Sequence, residues 1–159
     1  MQSQRTIDDW FDEYAKYHLN ATNKTIHWIC IPLITISLLG LLWSIPLPAA
    51  VSSLSPWLNC ATLFATMSLI FYCRLSIPIA IGMAITAGTM LVFIYVWASQ
   101  FQSPVWQGSL AIFVIAWIGQ FVGHKIEGRK PAFAEDIQFL LIGPAWLLGF
   151  IYKRFGIAY

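Results

Sequence analysis

Five apolar stretches, residues 26–45, 57–73, 77–97, 105–123 and 137–152, occupy most of this 159-residue chain and leave only short connections between them. A helix that crosses the hydrocarbon core of a bilayer needs about 20 apolar residues, with roughly 17 as the lower limit. The first four stretches reach that limit. The fifth has 16 residues and a Gly143-Pro144 pair, which would either kink a short spanning helix or turn a re-entrant one. Composition agrees: 58% of residues are hydrophobic and 10% charged, well below the roughly 25% charged residues of a soluble domain. The expected fold is all-α, a polytopic membrane helix bundle in a single domain over residues 1–159, with four spanning helices and a short or re-entrant fifth.

Basic residues set the expected sidedness, because Lys and Arg stay on the cytoplasmic side of short connections. Arg5, Lys16 and Lys24 precede the first stretch, Arg74 follows the second, and Lys125, Arg129 and Lys130 follow the fourth, whereas 46–56 and 98–104 carry none. The N-terminus is thus expected in the cytoplasm, and Lys153 and Arg154 would bring the C-terminus there too, which favours re-entry. Trp43, Trp57, Trp97 and Trp106 fall at the predicted outer ends, where an aromatic belt belongs. A net charge of +2 with scattered basic residues gives no concentrated basic face for nucleic acid. The three cysteines, Cys30, Cys60 and Cys73, stand apart in apolar segments and predict buried thiols rather than a disulfide framework. Four acidic residues in the first 25 are unlike the basic start of a cleavable signal. Within residues 6–18, Ile7, Trp10, Phe11, Tyr14 and Tyr17 share one helical stripe and Thr6 and Asp9 form a capping box. This is an amphipathic interfacial helix whose acidic polar face suits packing on protein better than adhesion to anionic lipid.

The chain has three histidines, and the topology places all of them at one end. His18 closes the interfacial helix, His27 opens the first span, and His124 closes the fourth. In one unbroken helix His18 and His27 would face opposite ways, since nine residues turn through about 900°. The intervening "LNATN" supplies turn and cap residues, with Asn23 able to cap the first span. Neutral imidazole is the commonest nitrogen ligand for iron, zinc and copper; the alternative is a set of hydrogen-bonded interfacial histidines. Glu127, three residues after His124, shares its helical face and is a candidate fourth ligand. Cys30, one turn from His27, is a weaker candidate than a plain buried thiol. Lys125, Arg129 and Lys130 could meet a substrate carboxylate, although sidedness already accounts for them. Gly119 and Gly123 have the small-xxx-small spacing of close helix packing. The spans carry no central charge, which speaks against an ion pathway.

Two blocks, "YAKYHLNATNKTIHWICIPL" and "WIGQFVGHKIEGRKPA", resemble a family of small membrane proteins typified by the fungal endoplasmic-reticulum 2-hydroxy fatty acid dioxygenase of fatty-acid α-oxidation. Tyr14, His18, Asn23, His27 and Pro32 match in the first block, and Gln120, Gly123, His124, Glu127, Pro131 and Ala132 in the second. The resemblance spans nearly the whole chain, with the middle matching only as apolar spans. It departs in the last stretch, where the family often has a glutamate after its proline and "GPAWLLGFIYKR" has none. The resemblance implies an Fe(II) enzyme that takes a 2-hydroxy fatty acid and O2 to the acid one carbon shorter, CO2 and water. That stoichiometry balances without a further reductant, in keeping with the lack of a nucleotide-binding glycine motif. It implies His18, His27 and His124 as metal ligands, with Glu127 a fourth ligand or an acceptor that orients an imidazole. Asn23 would fix the corner or touch substrate, and Tyr14, Gln120 and Lys125 would support the site or the substrate. The acyl tail would run between spans into the bilayer. Similar members look bacterial, which implies the cytoplasmic membrane, or the endoplasmic reticulum in a eukaryote.

Other classes fit less well. Di-iron lipid desaturases resemble one another in carrying about eight clustered histidines, and this chain has three. A bis-histidine haem protein needs imidazoles facing each other inside the bundle rather than at its rim. A non-enzymatic membrane scaffold or lipid-binding module remains the alternative, and it would need no metal.

Overall fold

The computed structural model describes residues 5–134 and 136–159, and among these every regular element is helical. In order they are α1 (Ile7–Ala15), α2 (Ala21–Trp43), a one-turn α3 (Ala49–Ser52), α4 (Cys60–Leu75), α5 (Ile77–Gln100), α6 (Val105–Glu127), a 3₁₀ turn (Ala132–Ala134) and α7 (Phe139–Phe155). Helices α2, α5 and α6, with 23, 24 and 23 residues, are long and apolar enough to cross a membrane. Many of their apolar side chains point outward, Ile85 and Ile115 being 66% and 67% exposed, as a lipid-facing surface requires. Helix α4 has 16 residues, about 24 Å at 1.5 Å per residue against a hydrocarbon core of about 30 Å. Of the four spans expected from the sequence, three are thus helices long and apolar enough to cross a membrane, and the fourth, α4, is shorter. The difference arises at Asn59, which caps α4 by accepting the Thr62 N–H at 3.0 Å and leaves residues 57–59 in the connection.

Helices α2 and α6 make the most extensive contact in the molecule and run antiparallel. Gly40 lies against Ser109 at one end of their seam, and Gly119 and Gly123 lie against Cys30 and Asn23 towards the other. Small residues let backbones approach this closely, so the Gly119 and Gly123 spacing serves close packing, as the sequence suggested. Helices α4 and α5 form a hairpin around Ser76, whose hydroxyl accepts the Ile79 N–H. At the end away from the histidines, Trp57 packs 5.7 Å from Trp43 and 5.1 Å from Tyr95, ring centre to ring centre.

The stripe on α1 is buried as a protein contact. Ile7, Trp10, Phe11 and Tyr14 are buried and Tyr17 half-buried, with Trp10 edge-on to Phe139 at 5.4 Å and Tyr14 edge-on to Trp146 at 5.2 Å on α7. The Thr6 and Asp9 capping box is formed.

After α6 the chain doubles back into the bundle. Gly128, with φ +72°, ends α6 in the left-handed conformation, which a residue without Cβ adopts at little cost. Phe133 then packs edge-on against Trp117 at 5.0 Å, seven residues and so about 10 Å deeper than His124. From there α7 climbs back, running unbroken through Pro144. Phe150 reaches Trp28 at 6.0 Å, and the Tyr152 hydroxyl donates to the Pro78 carbonyl at 2.8 Å. The segment enters and leaves at the histidine end, and the reversal precedes the Gly143-Pro144 pair instead of occurring at it.

Candidate metal centre

The corner between α1 and α2 is built from local hydrogen bonds. The Tyr17 and His18 N–H groups donate to the Tyr14 and Ala15 carbonyls, closing α1. The Asn20 side chain accepts the Thr22 N–H at 2.8 Å and the Asn23 N–H at 3.3 Å, capping α2. The expected break is present, but its cap is Asn20 and not Asn23, because α2 begins at Ala21, earlier than the apolar run that marked the span. Asn23 falls in the first turn with its side chain turned inward, where Nδ2 donates to the Tyr17 carbonyl at 3.3 Å and to Glu127 Oε2 at 3.0 Å. The Glu127 carboxylate also accepts the Leu19 N–H at 2.9 Å and the Asn20 N–H at 2.9 Å. The end of α6 thereby clamps the corner that carries His18.

That clamp brings the three histidines together. His18, His27 and His124 are 0%, 1% and 5% exposed. Their ring centres lie 4.3 Å (18 to 27), 4.8 Å (27 to 124) and 5.3 Å (18 to 124) apart. His18 Nδ1 lies 2.8 Å from the Tyr14 carbonyl and His27 Nδ1 lies 2.9 Å from the Asn23 carbonyl. A carbonyl only accepts, so the hydrogen-bond network assigns the proton to Nδ1 in both rings and leaves a lone pair on each Nε2. Burial pushes the pKa of His18 down to about 4, so its imidazole is neutral at neutral pH, the state that binds metal.

A purely structural histidine cluster would satisfy its buried nitrogens, and this one does not. His18 Nε2 and His124 Nδ1 are buried with no hydrogen-bond partner, and the candidate ligand nitrogens of the three rings lie within 4.8 Å of one another. His27 Nε2 and His124 Nε2 are 3.2 Å apart. Two nitrogens that each lie about 2.1 Å from one ion at roughly tetrahedral to right-angle spacing are separated by about 3.0–3.4 Å. The donor set therefore fits a divalent metal of the iron, zinc or copper type.

Glu127 stands outside this set. Its oxygens face Leu19, Asn20 and Asn23, not an imidazole. A small cavity of about 50 Å3 adjoins the histidines and is lined by His27, His124, Tyr14, Gln120, Trp117 and Phe139, among others. Tyr14 also stacks on the His18 ring, with centres 4.2 Å apart. Lys125 is exposed on the far side of α6 and does not line the cavity. Arg129 donates to the Lys16 carbonyl at 3.1 Å and braces the corner. Cys30 packs against Gly119 and is not in the metal-binding group. Sequence reasoning missed Trp117, whose indole N–H is buried without a partner. The available signal was its place in mid-span, away from the membrane interfaces where tryptophan collects.

A sequence profile of the family described as 2-hydroxy-palmitic acid dioxygenase Mpo1-like matches residues 4–155 of the chain. No curated protein and no solved structure matches it. A match of that extent, over the same residues that build the histidine cluster, places the chain in the Mpo1-like family.

Proposed function

We propose that this chain is an iron(II)-dependent dioxygenase that converts a 2-hydroxy fatty acid and O2 into the acid one carbon shorter, CO2 and water. The observation that carries this reading is the convergence of three buried imidazoles, His18 and His27 with their Nδ1 protons already committed to carbonyls, and His18 Nε2 and His124 Nδ1 buried without a partner. His18, His27 and His124 would hold the metal. When bound, iron(II) would supply the electron-transfer chemistry that O2 requires and a Lewis-acidic seat for the 2-hydroxy acid head.

The remaining roles belong to the protein. The Tyr14 and Asn23 carbonyls hold the tautomer and orientation of His18 and His27, as the outer partners of metal-bound imidazoles do. Glu127 and the Asn23 amide hold the corner so that His18 meets the other two rings. Gln120, buried and facing the cavity beside His124, offers N–H donors to a substrate carboxylate, and the Tyr14 hydroxyl offers a donor or acceptor on the opposite wall. Burial of the three imidazoles keeps bulk water away from a reactive head group. The basic connections favour the cytoplasmic side of the membrane for the histidine end.

The test is metal analysis of protein purified without oxygen, beside His18→Ala, His27→Ala and His124→Ala, followed by 2-hydroxypalmitate and O2. Stoichiometric iron in the wild type, its loss in each variant, and appearance of the C15 acid are expected. Full iron occupancy in all three variants would refute the ligand assignment, and iron without the shorter acid would refute the substrate.

A further inference from the structure

A second, larger cavity lies directly beneath the histidine pocket. It measures about 440 Å3 and its wall is almost wholly apolar. Ile34, Thr35, Trp117, Leu140 and Pro144 line both cavities, so only side chains of α2, α6 and the start of α7 part the two, and this shared wall is the neck through which a head group would pass. The lower cavity extends along α2 as far as Leu38 and Leu39 and along α4 as far as Phe64. From His27 to Leu38 the helix rises about 16 Å, and one leaflet of hydrocarbon core is about 15 Å deep. A cavity of this depth matches an acyl chain of the kind that fills a leaflet.

The two ends of this path differ in access. Towards water, the histidines are 0–5% exposed, Glu127 clamps residues 19 and 20, and α1 is packed on α7. Towards lipid, the cavity opens between α4 and α6, where its rim residues Phe64, Leu140 and Ile137 are 37%, 41% and 72% exposed. A hydrophilic carrier joined to the substrate carboxyl would have to be drawn through the apolar neck or forced past the Glu127 clamp, and burying its polar groups unpaired costs several kcal/mol each on the order of transfer values.

We infer that the substrate enters sideways from the bilayer as a free 2-hydroxy acid, with its acyl tail in the α2–α4–α6 cavity and its head carried up through the neck to the histidines. This rests on the proposed function for the identity of the head group and adds the route, the tail site and the exclusion of a thioester. Filling the tail site should then shift the chain-length preference of the enzyme. Ser68, on α4, and Ala87, on α5, both line the cavity and are only partly exposed, so a larger side chain at either has room to occupy it.

The experiment uses the full chain in lipid nanodiscs and a 16-carbon 2-hydroxy acid with a diazirine at its terminal carbon, photolysed without O2 and mapped by mass spectrometry. Label on 64–69 of α4 or on Phe113 of α6, displaced by free 2-hydroxypalmitate but not by its coenzyme A thioester, is expected. In Ser68→Phe and Ala87→Phe, the ratio of kcat/KM for the 16-carbon acid to that for the 8-carbon acid should fall about tenfold or more. Label confined to lipid or to the outer helix faces, equal displacement by the thioester, or an unchanged ratio in both variants would overturn the inference. Labelling needs no turnover, so label in the cavity without any shortened acid would refute the dioxygenase reading and leave the tail site standing. Product formed with label elsewhere would do the reverse.

Discussion

Glu127 decides how the site is held, although it lies outside the metal-binding group. Its carboxylate takes hydrogen bonds from two backbone N–H groups of the corner and from Asn23, and His18 belongs to that corner. Outer partners of metal-bound imidazoles are typically worth about 10–100-fold in metal affinity. Glu127 acts one step further out, through the corner, so Glu127→Ala should weaken metal binding by no more than that factor while the protein still inserts and retains its helical content. Glu127→Gln, which keeps an acceptor oxygen, should lie between the two, and an iron titration followed by circular dichroism checks both. At this scale the histidines were legible because their side chains leave few uses at a membrane boundary, and three at one end narrow the choice further. The division of labour between Asn20 and Asn23 was not, because both residues favour caps and only the true start of α2 tells them apart. The free metal-site role of Glu127 was equally open in the sequence, since a spacing of three residues puts two side chains on one face without saying which way each is turned.

Among elements, the seam between α2 and α6 positions two of the three histidines. A Cβ built on Gly123 would collide with the Asn23 carboxamide oxygen, and one on Gly119 would stand 2.6 Å from Cys30 Sγ. Gly123→Ala should therefore push α6 away from α2 and destabilise the protein by about 1–3 kcal/mol, the usual cost of overpacking. A lowered thermal unfolding midpoint in detergent would check it, and a midpoint equal to that of the wild type would show that the seam has slack. The small-xxx-small spacing announced close packing but not its partner, because periodicity marks a face and is silent on what meets it. The shortness of α4 was hidden for a related reason: Trp57 and Leu58 are as apolar as a span, and the asparagine cap that excludes them is a single residue.

For the whole molecule, the path of the last segment governs sidedness. With entry and exit at the histidine end, the topology proposed here predicts residues 16 and 153 on one side of the membrane and residue 102 on the other. Single cysteines introduced as Lys16→Cys, Lys153→Cys and Gln102→Cys, in a chain relieved of its own three cysteines, should react with an impermeant maleimide in that pattern. Reaction of position 153 from the side of position 102 would instead make α7 a spanning helix. Lys153 and Arg154 pointed towards re-entry in the sequence, yet the depth reached by Phe133 could not be read there, since it depends on the cavity left between α4 and α6. Finally, the separation of 97 positions between His27 and His124 carries a consequence for biosynthesis. The ribosome delivers two of the three imidazoles at the outset and the third only when α6 emerges. Until then a nascent chain lacks the complete three-histidine cluster, and metal uptake at the proposed site would report that α6 has joined the bundle.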